Sequence, residues 1–222
     1  MSQCHKRERN NLLLLSRCLQ KPGHWLTERL SNGALRESLA ILSPHILSET
    51  VSSDGDFSCL ETFLIHLSDY QHISEQQIQN DLSAQYKQWS LVDTQKRSDI
   101  FSPFKEEQDP LRSYRHLPGQ EIMEWYHCCG MKMPERFMGR PDSISMELEF
   151  AIYLKGMLCQ QPSNSDSLRI YQFFLQRFLL PDLTRILALD SHAQSFPFYY
   201  QLTAVIREYI SLGTSHSLSI IQ

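Results

Sequence analysis

Apolar residues return every three to four positions along almost the whole chain, and strand-like alternation is scarcely visible, so the pattern predicts helices throughout. A first helix is expected from about Glu8 to Leu19, stopping before Lys21-Pro22-Gly23. Trp25, Leu26 and Leu30, then Leu35, Leu39 and Leu42, predict two short helices around Asn32-Gly33. Phe57, Leu60, Phe63, Leu64 and Leu67 form an apolar face after the turn Asp54-Gly55-Asp56. Ser74 to Gln77 fits a capping box, and Ile78, Leu82, Tyr86 and Trp89 follow on one stripe. Residues 93–118 are polar and broken by Pro103, Pro110 and Pro118, which predicts a long loop; long loops in compact domains often carry function. Ile122, Trp125, Tyr126 and Cys129 mark a helix closed by Gly130. A central helix runs from Asp142 to about Leu158, followed by a polar turn from Gln160 to Asp166. Leu168 to Phe178 is the next helix, ended by Pro181; the last runs from Pro197 to Leu212 with Gly213 as its C-cap. The expectation is a single all-α domain over 1–222 with about ten helices. Its halves, 1–92 and 119–222, are joined by the loop 93–118.

The most informative stretch is Arg140 to Phe150, the mouth of an almost wholly apolar helix whose first turns carry carboxylates. Pro141 suits the first helical position, and Asp142 and Ser143 suit the cap or first turn. At 100° per residue, Asp142, Ser145, Glu149 and Gly156 share a polar side. Glu147 falls instead with Ser143, Phe150, Ala151, Leu154 and Leu158 on the apolar stripe. A carboxylate there must be paired or poised to accept a partner's charge, because an unpaired buried charge is very costly. The structural alternatives are a plain helix cap for Asp142 and an internal ion pair of Glu147 with Arg177 or Arg207; Glu149 is expected at the solvated surface.

Composition narrows the class. The chain has 222 residues, 41% of them hydrophobic and 21% charged, enough for one sizeable core. A net charge of −4 gives no general attraction to nucleic acid or anionic lipid, and a mildly acidic surface would welcome a basic peptide. The six cysteines form no C-x-x-C pair, so reduced thiols in a cytoplasmic protein are expected. Lys6, Arg7 and Arg9 precede an apolar run of only Leu12 to Leu15, too short for a signal peptide, and no stretch reaches a membrane span.

No phosphate-binding glycine loop, metalloprotease helix or nucleophile elbow occurs. His127, Cys128 and Cys129 are neighbours on a helix, point 100° apart and cannot converge on one tetrahedral ion; packed thiols are the expectation. Trp89 and Trp125 lie on apolar stripes, so core packing is the default for both, with Trp89 also a candidate for lining a groove beside the long loop. No enzyme chemistry, metal or cofactor is expected.

The stretch from Tyr126 to Leu154 resembles the TorD/DmsD/NarJ family of redox-enzyme maturation chaperones. The likeness rests on Trp125-Tyr126, Gly130, then Arg140-Pro141-Asp142-Ser143 and Glu147-Leu148-Glu149-Phe150. Phe174 to Leu179 resembles the family's F-L-x-R-H-L segment, and Phe196 to Leu202 its H-P-F-Y-x-x-L helix start. Asp81-Leu82 with Tyr86 and Trp89-Ser90 is similar to its D-Y-x-x-L-F region, and Ser102 to Glu106 faintly to its S-P-Y-E-S. The histidine that follows the family's aspartate is Ser143 here, and the second motif's histidine is Phe178.

The resemblance implies a TorD-like helical bundle and a cytoplasmic, client-specific chaperone. It would bind the twin-arginine leader peptide of an exported molybdenum-cofactor oxidoreductase, or its apoprotein, until the cofactor is loaded. Asp142 with Glu147 or Glu149 would meet the arginines, Pro141 and Ser143 would belong to the same peptide-binding stretch, and Tyr86, Trp89 and Trp125 would form part of the apolar wall. Arginine–carboxylate bonds are charge-assisted, and the leader's apolar run adds burial energy. A monomer or a domain-swapped homodimer is the expected state. The alternatives are a helical scaffold or regulatory subunit without leader recognition and, less supported by motif, an all-α hydrolase.

Overall fold

A computed structural model describes residues 2–42, 58–100, 118–132, 143–161, 164–188 and 190–219; among these there are ten helices and no strand. They are α1 (Ser2–Cys18), α2 (His24–Ser31), α3 (Ala34–Ala40), α4 (Cys59–Ser68), α5 (Glu75–Ile100), α6 (Pro118–Cys128) and α7 (Ile144–Gln160). The eighth helix, α8, joins Ser165–Phe174, a π-helical turn over Leu175–Leu179 and Leu180–Leu187 into one rod; α9 (Asp190–Ser195) and α10 (Pro197–Ser219) complete the set.

Helix α7 is the centre of the bundle. Ten of its 17 residues are buried, among them Met146, Leu148, Phe150 and Ala151, each at 0% exposure. Helix α1, with Leu12 and Leu15 buried, packs along it, and α8 covers another flank. Helix α10 inserts Phe198, Tyr199, Leu202 and Val205 among α4, α5 and the second half of α8. The α1–α7 contact is partly polar: Lys155, 4% exposed, forms an ion pair with Glu8 and lies 4.7 Å above the Tyr171 ring.

Local chemistry explains most helix ends. Ser58 and Glu61 form a capping box at the start of α4, and Ser74 and Gln77 bond reciprocally before α5, as the sequence predicts for the latter. Gly130 takes φ +77°, with its N–H on the His127 carbonyl and the Met131 N–H on the Tyr126 carbonyl. This is a Schellman closure of α6, and the left-handed backbone is why a glycine stands there.

Several boundaries differ from the sequence expectation. Helix α5 continues through Asp93 to Ile100, so the first eight residues assigned to the long loop are helical. The rest of that loop, 101–117, lies outside the described residues. Helix α7 begins at Ile144 with Ser143 as N-cap, two residues later than expected, and Pro141 lies outside the described residues. Pro181 does not end α8: the Leu180 N–H reaches back five residues to the Leu175 carbonyl, and this wider turn accommodates a residue that has no N–H to give. Gly213 does not cap α10, which runs on to Ser219 without a positive φ; a helical glycine costs about 1 kcal/mol but need not stop the helix.

Candidate functional site

Tyr86, Trp89 and Asp93 follow one another at helical spacing on α5, which directs them towards α10 and the start of α7. Trp89 stacks on Tyr199 of α10 with ring centres 5.5 Å apart and planes 25° from parallel. Tyr86 flanks both, at 5.9 Å from Trp89 and 5.6 Å from Tyr199. Burial pushes the Tyr199 hydroxyl well above its ordinary pKa, with Tyr86 adding to the effect, so it remains a neutral phenol. One turn beyond Trp89, the Asp93 carboxylate accepts the Ile144 N–H at 3.1 Å in a buried hydrogen bond.

The mouth of α7 therefore has two caps. Ser143 accepts the Met146 N–H on its own side chain at 3.3 Å, and Asp93 arrives from 51 positions upstream in sequence to take the Ile144 N–H. A carboxylate at this end also opposes the positive end of the helix dipole. Glu147 sits one turn inside and is completely enclosed. Arg177, weighed as its partner, pairs with Glu121 at 3.9 Å, and the charge of Arg207 acts on Glu208 and Cys59.

The expected site residues thus divide. Trp89, Ser143 and Glu147 are buried, and Tyr86 is half-buried, where α5 meets α10 and the start of α7. Trp89 is 1% exposed and does not line a groove, because the Tyr199 ring covers it; its indole N–H has no hydrogen-bond partner among the described residues. Ser143 uses its hydroxyl as a cap, and Glu149 is half-buried rather than solvated. Pro141 and Asp142 lie outside the described residues.

Trp125 belongs to a second aromatic group. It is half-buried on α6, stacks on the exposed Phe173 of α8 at 5.1 Å and meets Phe178 edge-on at 6.1 Å. Its neighbour Tyr126 points inward onto Phe150, which in turn packs against Phe174. The Tyr153 hydroxyl ties α7 to the end of α6 by donating to the Cys129 carbonyl at 2.9 Å.

Sequence reasoning missed Asp93 and Gln85, and both were in principle detectable. Asp93 is a polar residue four positions after Trp89 on an apolar stripe, the same signal that singled out Glu147. Gln85, also buried, donates to Asp81 and accepts the Phe198 N–H at 2.9 Å, so α5 supplies a cap to α10 as well as to α7. Among the described residues no three His, Cys, Asp or Glu side chains are grouped to hold a metal ion, and no helix is long and apolar enough to cross a membrane. Cys128 is exposed and Cys129 half-buried, its thiol pushed upward by burial. Protein-family models, curated proteins and solved structures give no match to this chain.

Proposed function

We propose that this protein is a cytoplasmic chaperone of the TorD/DmsD/NarJ kind, which holds the basic and apolar leader peptide of an immature exported molybdoenzyme and performs no covalent chemistry. One observation carries the reading: the separate segments that resemble the family pack on one another. Tyr86 and Trp89 meet Tyr199; Tyr126 meets Phe150, which meets Phe174; Trp125 meets Phe178. Segments that are similar in order and also interlocked in space support a common framework more strongly than any one motif. In this reading Trp89, Glu147 and Ser143 hold the framework, and Asp142, which directly precedes Ser143 in the sequence, is the candidate partner of an arginine.

The enclosure of Trp89 and Glu147 favours a second reading, a helical scaffold that binds a partner without leader recognition. Calorimetric titration of the full chain with twin-arginine leader peptides separates the two. Binding that is lost on Asp142→Ala, and on exchange of both peptide arginines for lysine, supports the chaperone. Failure to bind any such leader overturns it in favour of the scaffold.

A further inference from the structure

The geometry points to an arginine-binding platform on the outer face of α6 and α8, where the stacked rings of Trp125 and Phe173 and the Glu121 carboxylate take one arginine side chain of the leader peptide. The proposal rests on the chaperone reading and names a contact surface for it.

Three observations support it. First, Phe173 is 48% exposed although it is a large apolar ring, and it lies nearly parallel to Trp125, with planes 16° apart. An exposed ring offers its free π face to a guanidinium, which is planar and weakly hydrated. Second, α6 carries Glu121 one turn before Trp125 on the same side, with Glu124 directly preceding the ring, and contains no lysine or arginine, so its own charge complements a cationic peptide.

Third, the Glu121 carboxylate is already engaged by an arginine of this chain, but loosely. Arg177 approaches it to 3.9 Å, beyond hydrogen-bond range, and both side chains remain more than half or half exposed. Arg177 projects from the π-helical turn Leu175–Leu179, next to Phe178, which touches Trp125 edge-on. The chain's own arginine thus marks where a guanidinium can sit without holding the position tightly. An incoming arginine stacked on the rings can add a bidentate bond to Glu121, and Arg177 then swings into solvent.

The test titrates the full chain with a synthetic leader peptide carrying two adjacent arginines before an apolar run, and with its double-lysine counterpart. Glu121→Gln and Phe173→Ser alter exposed side chains and leave the core intact. Each is expected to weaken binding about tenfold, and the lysine peptide to bind the wild type comparably poorly. Arg177→Gln removes the internal competitor and is expected to tighten binding about two- to threefold, an effect that mere damage to the surface would not produce. Wild-type binding unaffected by Glu121→Gln and Phe173→Ser overturns the platform while leaving the chaperone reading standing. Weakening by Arg177→Gln also overturns it, since the residue would then be supporting the site. No binding of the arginine peptide to the wild type overturns both proposals.

Discussion

Replacement of Asp93 by alanine should destabilise the protein far more than its position in a polar stretch would indicate. Its carboxylate accepts the buried Ile144 N–H at 3.1 Å and is itself only 8% exposed. Truncation leaves that N–H without its acceptor, and a buried donor stripped of its partner costs about 1–3 kcal/mol. It also removes a negative charge from the positive end of α7, worth about 0.3–2 kcal/mol where the site is partly buried. Ser143 still caps the Met146 N–H, so the helix start is weakened rather than abolished. The combined expectation is a loss of about 2–3 kcal/mol, a large share of the roughly 5–15 kcal/mol that stabilises a typical domain. Asp93→Asn keeps an acceptor and gives up the charge, so about 1 kcal/mol should be lost. Ser143→Ala, which touches the other cap, should also cost about 1 kcal/mol. Equilibrium unfolding in urea, followed by far-ultraviolet circular dichroism, measures all three. An alanine variant within about 0.5 kcal/mol of wild type would refute the argument that this side chain, rather than the local sequence, closes the helix.

Two further measurements follow from the titratable groups. His66 is held edge-on to Tyr70 at 5.4 Å, and burial lowers its imidazole pKa despite the opposing influence of Asp69. The unfolded chain therefore binds the proton first as pH falls through about 6.5, so stability is full above that pH and declines below it. His66→Phe should flatten the dependence of unfolding free energy on pH between about 7.5 and 5.5, and an unchanged slope would assign the effect elsewhere. Among the described cysteines, Cys128 is exposed whereas Cys18 is buried, its thiol pushed up to about 12 by desolvation. Native alkylation mapped by mass spectrometry should modify Cys128 early and Cys18 only on unfolding; simultaneous labelling would contradict the burial.

Helix existence was legible in the sequence because burial imposes its period on side chains directly. Trp89, Tyr126 and Phe150 each took the inward position that the apolar stripes assign them, and Tyr86 a half-buried one. Termination was less legible, since a stop signal is only a local preference. Asp93 looked like the opening of a loop, yet its polarity is explained by another helix's backbone. Pro181 looked like a stop, yet a single widened turn absorbs it. The candidate site shows the same limit. Spacing identified Glu147 as a carboxylate on an apolar face, but nothing along the chain could tell enclosure from display, because that depends on which helix lies across it. Phe173 was overlooked for the opposite reason: a ring off the buried stripe gives no periodic signal, and only its stacking on Trp125 brings it to notice.

Three helices of this fold borrow an acceptor from a distant stretch of chain: α7 from Asp93, α10 from Gln85, and α4 from Glu208, which takes the Leu60 N–H at 3.3 Å across 148 positions. During synthesis, then, α4 leaves the ribosome with one of its first amides answered only by water, and it stays so until α10, which carries Glu208, has emerged. An early fragment of this protein would be a set of nascent, frayed rods. The bundle should lock late and all together, with α10 acting as the closing key.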